Sequence, residues 1–478
     1  MAVRFWLLAL LVARTAGAEP RRIAVDTPPD AFNRKQAAAA PYLYLNRCSG
    51  GCTITGGSTN DATMHLSAIP SAGVYTVSEY ENAAGETGTA ADAEWNQLVQ
   101  CMKEVYSPYG LTVADTPPPA GTSYNEAIIA GRPQDVGLGA DILGISPLAN
   151  DCSAVDNVIS FSFANHHGAN DRVVNVCWTA SQESAHAYGL DHEFEFSDGT
   201  SACNDPMTYR VDCGGQKFFR NKRAKCGEMA VRDCKCSSTQ NSHQQLLGLF
   251  GAGTPLTAAP HASIAYPTND TMVSTGWVVH VSAGSQRGVA KVELFLNGSR
   301  WMVLPGAAFG PRGQNDDADY TFYVPEDVPD GIIDVEGRAY DDLGMAVATI
   351  PVTVTKGAPC TSDDACLANQ TCDEGRCKYG PPTGELGDSC DYGQFCKSWT
   401  CLGSDDDKRC TQDCLTDEPT SCPMGFTCEP TDDQGTDGFC WPTEAGGCCS
   451  VGHDRDAIWI HGGLALAVLG SLRRRRRR

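Results

Sequence analysis

The spacing of apolar residues first predicts helices in three stretches of the chain. Apolar side chains recur every three or four positions, as on one face of a helix, at residues 91–102, 171–188 and 241–250. The second stretch, DRVVNVCWTASQESAHAY, places Val174, Cys177, Trp178, Ala185 and Tyr188 on one stripe. A glycine just past a helix commonly ends it, so we expect Gly189 to terminate this helix.

Short runs of apolar and β-branched residues lie between these helical stretches. They occur at residues 41–45, 109–113, 141–145 and 158–163, and each has the length of a sheet strand. Cys48 and Cys52, in CSGGC, are close enough in sequence to predict a tight disulfide loop. Helices and strands together predict an α+β domain over residues 40–253.

Residues 258–356 differ in pattern. Apolar and polar positions alternate in several short runs, and Asn297-Gly298 separates two of them, which is a strong hairpin signal. Several strands in about a hundred residues predict an all-β immunoglobulin-like sandwich. No cysteine lies between positions 237 and 359, so the region resembles bacterial Ig-like spacer domains rather than antibody domains.

The cysteines form three groups. Ten lie between Cys48 and Cys236, twelve between Cys360 and Cys440, and two are Cys448 and Cys449. An even number of clustered cysteines in an exported chain predicts disulfides. Residues 357–445 contain repeated cysteine spacings and few apolar residues, so we predict small repeats held together by disulfides.

Both termini carry targeting signals. Residues 1–18 have a positive Arg4, a short apolar run and the small-residue pattern Ala16-Gly17-Ala18, which predicts a cleaved signal peptide. Residues 19–39 are polar and Ala-rich, and we interpret them as a leader or linker. They contain no cysteine that could cap a metal, so no inhibitory propeptide is evident.

The last segment, residues 446–478, combines the Cys448-Cys449 pair, an apolar helix at Ile458–Leu472 and six terminal arginines. This combination resembles the MYXO-CTERM sorting tail of exported proteins of myxobacteria. The resemblance implies removal by a sorting protease and delivery to the cell surface, the outer membrane or the extracellular space. A permanent transmembrane anchor is the alternative, but the 15 apolar residues are short for a membrane span.

The net charge of the chain limits the binding partners that can be expected. The formal net charge is −22, and without the six terminal arginines the remaining chain carries −28. This negative charge argues against nucleic acid and anionic membrane surfaces as partners. The C-terminal tail is then the only predicted membrane contact. The favoured explanation of the negative charge is solubility, and the alternative explanation is that the protein binds Ca²⁺.

The most specific chemical signal is QESAHAYGLDH, residues 182–192. Gln182 and His186 are one helical turn apart and project from one face, with Glu183 beside them. Gly189 allows the chain to turn back toward His192. Downstream, NDPMTY supplies Met207 in a turn and Tyr209 two residues later.

This string resembles the H-E-x-x-H-x-x-G-x-x-H motif of metzincin zinc proteases, which is followed by a Met-containing turn. The resemblance implies metal ligands at 182, His186 and His192, Glu183 as general base, Met207 as the structural Met-turn, and Tyr209 as a support for the reacting oxyanion. The first ligand position departs from the family, because Gln182 stands where the motif has histidine.

Three outcomes remain open for Gln182. An amide oxygen suits Zn²⁺ less well than imidazole and Ca²⁺ better, so Gln182 weakens the zinc site if it is a ligand. His166 or His167 is an alternative third ligand. In the third case the metal is lost and the domain is kept for binding.

The sequence therefore predicts an exported, surface-sorted zinc endopeptidase that acts on a protein or peptide substrate. The leading alternative is a non-catalytic adhesin or binding protein on a degenerate metzincin fold. A purely structural surface protein, with the cysteine-rich repeats as its working part, is the third.

Overall fold

The structure is a computed structural model that describes residues 21–28, 39–309, 317–404, 407–416, 420–431 and 437–443. The predicted signal peptide, the sorting tail and its apolar helix lie outside these residues. The described chain is mostly β-sheet with three α-helices. No helix among the described residues has both the length and the apolar character needed to cross a bilayer.

The first region contains eleven strands and three helices. The strands are β1 Arg21–Thr27, β2 Tyr42–Asn46, β3 Cys52–Gly56, β4 Leu66–Ser67, β5 Gly73–Val77, β6 Thr112–Ala114, β7 Asn125–Ile129, β8 Ile142–Ala149, β9 Ile159–Ser162, β10 Glu193–Phe196 and β11 Ala224–Cys226. The helices are α1 Asp92–Tyr106, α2 Arg172–His186 and α3 Ser242–Phe250. All four predicted strands and all three predicted helices have a counterpart, shifted by a few residues at their ends.

Six strands form the central sheet, in the order β1-β8-β9-β7-β2-β6. Neighbours run parallel except for β8 and β9, which are antiparallel. Helix α2 packs against β7, β8 and β9, and α1 packs against α2. Their apolar stripes meet in one core that includes Leu98, Met102, Ile128, Phe161 and Val176.

Strand β1 corrects the interpretation of residues 19–39 as a leader or linker. Arg21–Thr27 pairs in parallel with β8 along its whole length and forms one edge of the sheet. Arg22 and Thr27 are buried. The apolar residues of RRIAVDT form one run, Ile23–Val25, without alternation, so the sequence does not show this pairing. The strand is held by its pairing with β8 and by Ile23 and Val25, which pack against the core.

The ten cysteines of this region form five disulfides, as their even number predicts. Cys48 pairs with Cys52 in the tight loop expected from CSGGC. The others join Cys101 to Cys177, Cys152 to Cys236, Cys203 to Cys213 and Cys226 to Cys234. The bond between Cys101 and Cys177 ties α1 to α2, which is the helix of the candidate site.

The Ig-like sandwich is confirmed. Its strands are β12 His261–Tyr266, β13 Thr271–Val273, β14 Val278–Gly284, β15 Val289–Leu296, β16 Ser299–Pro305, β17 Ala318–Tyr323, β18 Gly331–Asp341, β19 Ala346–Ala348 and β20 Val352–Lys356. One sheet has the order β12-β14-β17 and the other β13-β20-β18-β15-β16, with β19 paired to β18. The turn at Asn297-Gly298 joins β15 and β16, as predicted.

A buried charge cluster joins the first region to the Ig-like domain. The Asp342 carboxylate accepts hydrogen bonds from Arg220 Nη1 at 2.8 Å and from Arg287 Nε at 2.6 Å. These three side chains are at most 1% exposed. Arg220 Nη1 also donates to the Arg287 carbonyl at 2.7 Å. Such contacts fix the orientation of the two regions.

The cysteine-rich region consists of three small modules with two disulfides each. In every module the first cysteine pairs with the third and the second with the fourth. Their strands are β21 Gln370–Asp373, β22 Arg376–Tyr379, β23 Cys401–Ser404, β24 Asp407–Cys410, β25 Asp413–Leu415, β26 Phe426–Pro430 and β27 Asp437–Pro442. The prediction of disulfide-held repeats is confirmed.

Candidate metal centre

The end of α2 and the turn after it bring two histidines together. The helix ends at His186, two residues earlier than predicted, and the chain turns through Gly189. Gly189 has a φ of +86°, and a Cβ there would lie 2.1 Å from the Cys152 carbonyl oxygen. Only glycine therefore permits this turn, and the turn returns the chain so that His192 faces His186.

The two imidazoles meet through their Nε2 atoms, which are 3.0 Å apart. Each outer nitrogen already faces an acceptor: His186 Nδ1 lies 2.7 Å from the Leu190 carbonyl oxygen, and His192 Nδ1 lies 3.0 Å from Glu228 Oε1. If each Nδ1 carries the proton, both Nε2 atoms present lone pairs to each other.

Facing lone pairs repel, so this geometry needs a cation or an extra proton between the rings. Burial, and secondarily His192, lowers the pKa of His186 to about 3, which disfavours the extra proton on that ring. Two imidazoles bound tetrahedrally to one zinc ion have nitrogens about 3.3 Å apart. The observed separation of 3.0 Å is close to that value.

Gln182 and Glu183 are two buried polar residues near the end of α2 whose side chains lack partners. Both are fully buried, and no nitrogen or oxygen of either side chain has a hydrogen-bond partner in the described part of the chain. Burial raises the pKa of Glu183 well above its usual value, and the charge of Arg22 only partly opposes this. Four buried polar atoms without partners, on the helix that carries His186, call for an explanation, and a bound ion is one.

Tyr209 and Met207 reach the same place from the turn after β10. The Tyr209 ring centre lies 4.7 Å from that of His192, and burial, followed by Glu183, raises the Tyr209 pKa above its usual value. Met207 is completely buried, and its carbonyl accepts a hydrogen bond from the Glu193 amide at 2.9 Å. The turn is thereby fixed beside His192.

The two alternative ligands are not brought to the pair. His166 Nε2 lies 2.6 Å from the Ala140 carbonyl oxygen. His167 Nε2 is buried without a hydrogen-bond partner among the described residues. No third His, Cys, Asp or Glu of the described chain joins His186 and His192 closely enough to share one ion. Gln182 stays a predicted third ligand, one helical turn before His186 on α2.

Three residues of the site escaped the sequence analysis. Arg22, from β1, donates to the Tyr209 carbonyl oxygen at 3.2 Å. Glu228 contacts His192. Gly144, in β8, lies so close to Glu183 that a Cβ there would be 2.6 Å from its Cγ. An isolated glycine inside a strand-like run signals such a close approach, whereas nothing in the sequence marks Arg22.

A cavity of about 970 Å³ opens beside His192. Its lining includes His192, Tyr209 and Glu228, together with Ile23 and Ala24 of β1. The volume is in the range of sites that enclose a small ligand or a few residues of a peptide.

The cysteine-rich modules also contain close groups of three cysteines, such as Cys360, Cys366 and Cys377. All of these sulfurs are in disulfides. A metal ligand must be a thiolate, so these groups are not metal sites.

Comparison with known proteins supports the assignment of the Ig-like domain. A bacterial Ig domain family matches residues 260–336, which lie within the sandwich. A structure of the fibronectin(III)-like modules of CbhA from Clostridium thermocellum is 17% identical, with a TM-score of 0.15, over 20% of this chain and 94% of that one. The chain is thus a multidomain, disulfide-rich protein that contains a bacterial Ig-like domain, features that are typical of exported proteins.

A structure of wild-type OgpA from Akkermansia muciniphila is 11% identical, with a TM-score of 0.18, over 71% of this chain and 97% of that one. A second crystal form gives the same identity and TM-score. No curated protein matches the chain.

Proposed function

We propose that the first region is a zinc-dependent endopeptidase of the metzincin type. The observation that carries this proposal is the 3.0 Å approach of His186 Nε2 to His192 Nε2, beside the unpartnered side chains of Gln182 and Glu183. When bound, zinc lowers the pKa of a coordinated water to about 7. His186, His192 and the Gln182 amide oxygen would hold the ion.

The roles of the other side chains follow from their positions. Glu183 lies three residues before His186 on α2 and is shielded from bulk water, so it serves as the general base and then passes the proton to the leaving amine. The Tyr209 hydroxyl, on a ring packed against His192, donates a hydrogen bond to the developing oxyanion. The substrate is a protein or peptide that enters through the cavity beside β1.

Export supports a protein substrate outside the cell. Among the described residues, eleven disulfides hold the first region and the cysteine-rich modules, and such a chain belongs in an oxidising compartment. The signal peptide and the sorting tail complete the proposal: the enzyme is delivered to the cell surface or released from it.

The test compares the full chain with Glu183→Gln on unfolded casein. We expect the wild type to cleave casein, o-phenanthroline to stop it, and Glu183→Gln to lose about 10²–10⁴-fold in rate while keeping its zinc. Glu195→Gln is the matched control, because Glu195 lies on β10 and pairs with Lys225 at 3.7 Å. Equal rates for wild type and Glu183→Gln would refute the proposal.

Gln182 favours a second candidate function, a non-catalytic binding protein on the same fold. The amide is a weaker zinc ligand than imidazole, so a site that binds metal without catalysis is its natural use. Gln182→His separates the two functions. In an enzyme it tightens zinc binding and raises the rate, whereas in a binding protein it tightens zinc and no cleavage appears.

A further inference from the structure

We infer that Glu228 is a positioning residue that orients His192 and increases its basicity as a metal ligand. The inference rests on the proposed function. Glu228 Oε1 lies 3.0 Å from His192 Nδ1, on the side of the ring away from His186. A carboxylate there keeps the proton on Nδ1 and leaves the Nε2 lone pair directed at the metal position.

A closed ring of hydrogen bonds holds Glu228 in place. Arg232 Nη2 donates to Glu228 Oε1 at 2.5 Å and to Asp191 Oδ1 at 2.9 Å. Asp191 Oδ1 in turn accepts from the His192 amide at 2.7 Å, which closes the ring. The side chain of His192 is therefore fixed through Glu228 and its backbone through Asp191.

The disulfide between Cys226 and Cys234 closes the loop that carries Glu228 and Arg232. The Gly227 amide also donates to the His192 carbonyl at 2.9 Å. The loop is thus joined to His192 at two points, through the Gly227 amide and through the Glu228 carboxylate. The disulfide and these contacts make the loop a rigid support for the carboxylate.

The same contacts exclude a separate cation site at this loop. Asp191, His192 and Glu228 lie close enough together to be considered as one metal group. However, Arg232 binds both carboxylates, with Nη1 2.6 Å from Asp191 Oδ2. Its charge already neutralises much of the group, and His192 can offer Nδ1 to a metal only by losing Glu228.

Of the two histidines in the pair, His192 is the one whose outer nitrogen faces a charged partner. The outer nitrogen of His186 faces a neutral carbonyl, that of Leu190. An ionised acceptor makes an imidazole a stronger ligand than a neutral acceptor does. Because Gln182 supplies a neutral amide where metzincins have a third imidazole, Glu228 compensates by strengthening one of the two remaining histidines.

The experiment has two measurements on the full chain. The first is zinc affinity, determined by competition with a chromophoric chelator, and the second is the absorption spectrum of the Co²⁺-substituted protein. We expect Glu228→Ala to bind zinc about 10–100-fold more weakly than the wild type. Glu228→Gln should lose less, because its amide oxygen still accepts the Nδ1 proton. Glu195→Gln should bind zinc as the wild type does.

The Co²⁺ spectrum distinguishes positioning from a merely structural role. Both Glu228 variants should shift its ligand-field bands, and their metal-free forms should unfold at the wild-type temperature. If wild type and Glu228→Ala bind zinc equally tightly, the inference is wrong and the proposed function stands. If the wild type itself binds no zinc, the proposed function fails and Glu228 has no metal ligand to position.

Discussion

Two buried polar clusters in this molecule differ in how their groups are satisfied. At the junction with the Ig-like domain, Asp342 lies between Arg220 and Arg287, and each guanidinium has the carboxylate as partner. At the candidate metal centre, Gln182 and Glu183 are equally buried, but their side chains have no hydrogen-bond partner among the described residues.

The pKa values follow this difference. Burial opposes ionisation of Asp342, but Arg287 and then Arg220 outweigh it and lower its pKa to about 2. Burial dominates at Glu183 and raises its pKa well above the usual value. One nitrogen of each guanidinium also lacks a hydrogen-bond partner, yet its charge is compensated. A structural cluster balances its charges internally, whereas a binding site leaves groups open for what it binds.

The largest effect is expected from Asp342→Asn. Removing the carboxylate leaves two buried guanidinium groups without a counter-charge, which costs about 3–5 kcal/mol in the free energy of unfolding. Urea denaturation of the metal-free chain measures this loss. Asp330→Asn is the control, because the Asp330 side chain is 63% exposed and should change stability by less than about 0.5 kcal/mol.

The variant Glu183→Gln tests the comparison between the two clusters from the side of the metal centre. The variant exchanges a buried, unpartnered carboxyl for an amide of equal size, so we expect no loss of stability in the metal-free chain. A loss as large as that of Asp342→Asn would mean that Glu183 has a structural partner, and the contrast between the two clusters would disappear.

A third buried carboxyl, Glu126, should give the next largest effect. Its Oε1 accepts from Asn46 at 2.6 Å, its Oε2 has no partner, and burial raises its pKa from 4.5 to about 7. The fold therefore favours the protonated form. This contribution, about 3 kcal/mol from the size of the shift, is fully present below pH 4.5 and is lost as the pH rises through 7.

The check is the unfolding free energy of wild type and Glu126→Gln between pH 4.5 and 8. The variant cannot ionise, so its stability relative to the wild type should rise with pH over this range. Parallel pH profiles would show that Glu126 does not titrate there.

The smallest effect concerns Gly144→Ala. The new Cβ would lie 2.6 Å from Glu183 Oε1, so the carboxylate must move while the strand stays paired. We expect about a 10-fold loss of peptidase rate, or about 1.4 kcal/mol, with zinc still bound. Gly57→Ala is the control, since nothing lies within 4 Å of a Cβ at that position. Equal rates for both variants would contradict the close approach.

The sequence predicts the helices, strands and turns of this molecule better than the contacts between residues that are far apart in the chain. Helical spacing located α2, and Asn297-Gly298 located the hairpin of the Ig-like domain, because both signals depend on neighbours a few residues apart. Cysteine number predicted disulfides, but their pairing was predicted only for Cys48 and Cys52.

The predicted site residues were named from one motif, and the structure brings His186 and His192 together as that motif implies. Strand β1, with Arg22, could not be found in this way, because its apolar residues form one run without alternation and its partner β8 is far away in the chain. Glu228 sits in a disulfide loop 36 residues beyond His192, so its contact is also a product of tertiary structure.

The most direct test of the account is the zinc content of the purified full chain, measured by inductively coupled plasma mass spectrometry, for wild type and His186→Ala/His192→Ala. We predict one zinc ion per wild-type chain and none in the double variant. A wild-type chain without zinc, or a double variant that keeps it, would contradict the assignment of the histidine pair as a metal centre.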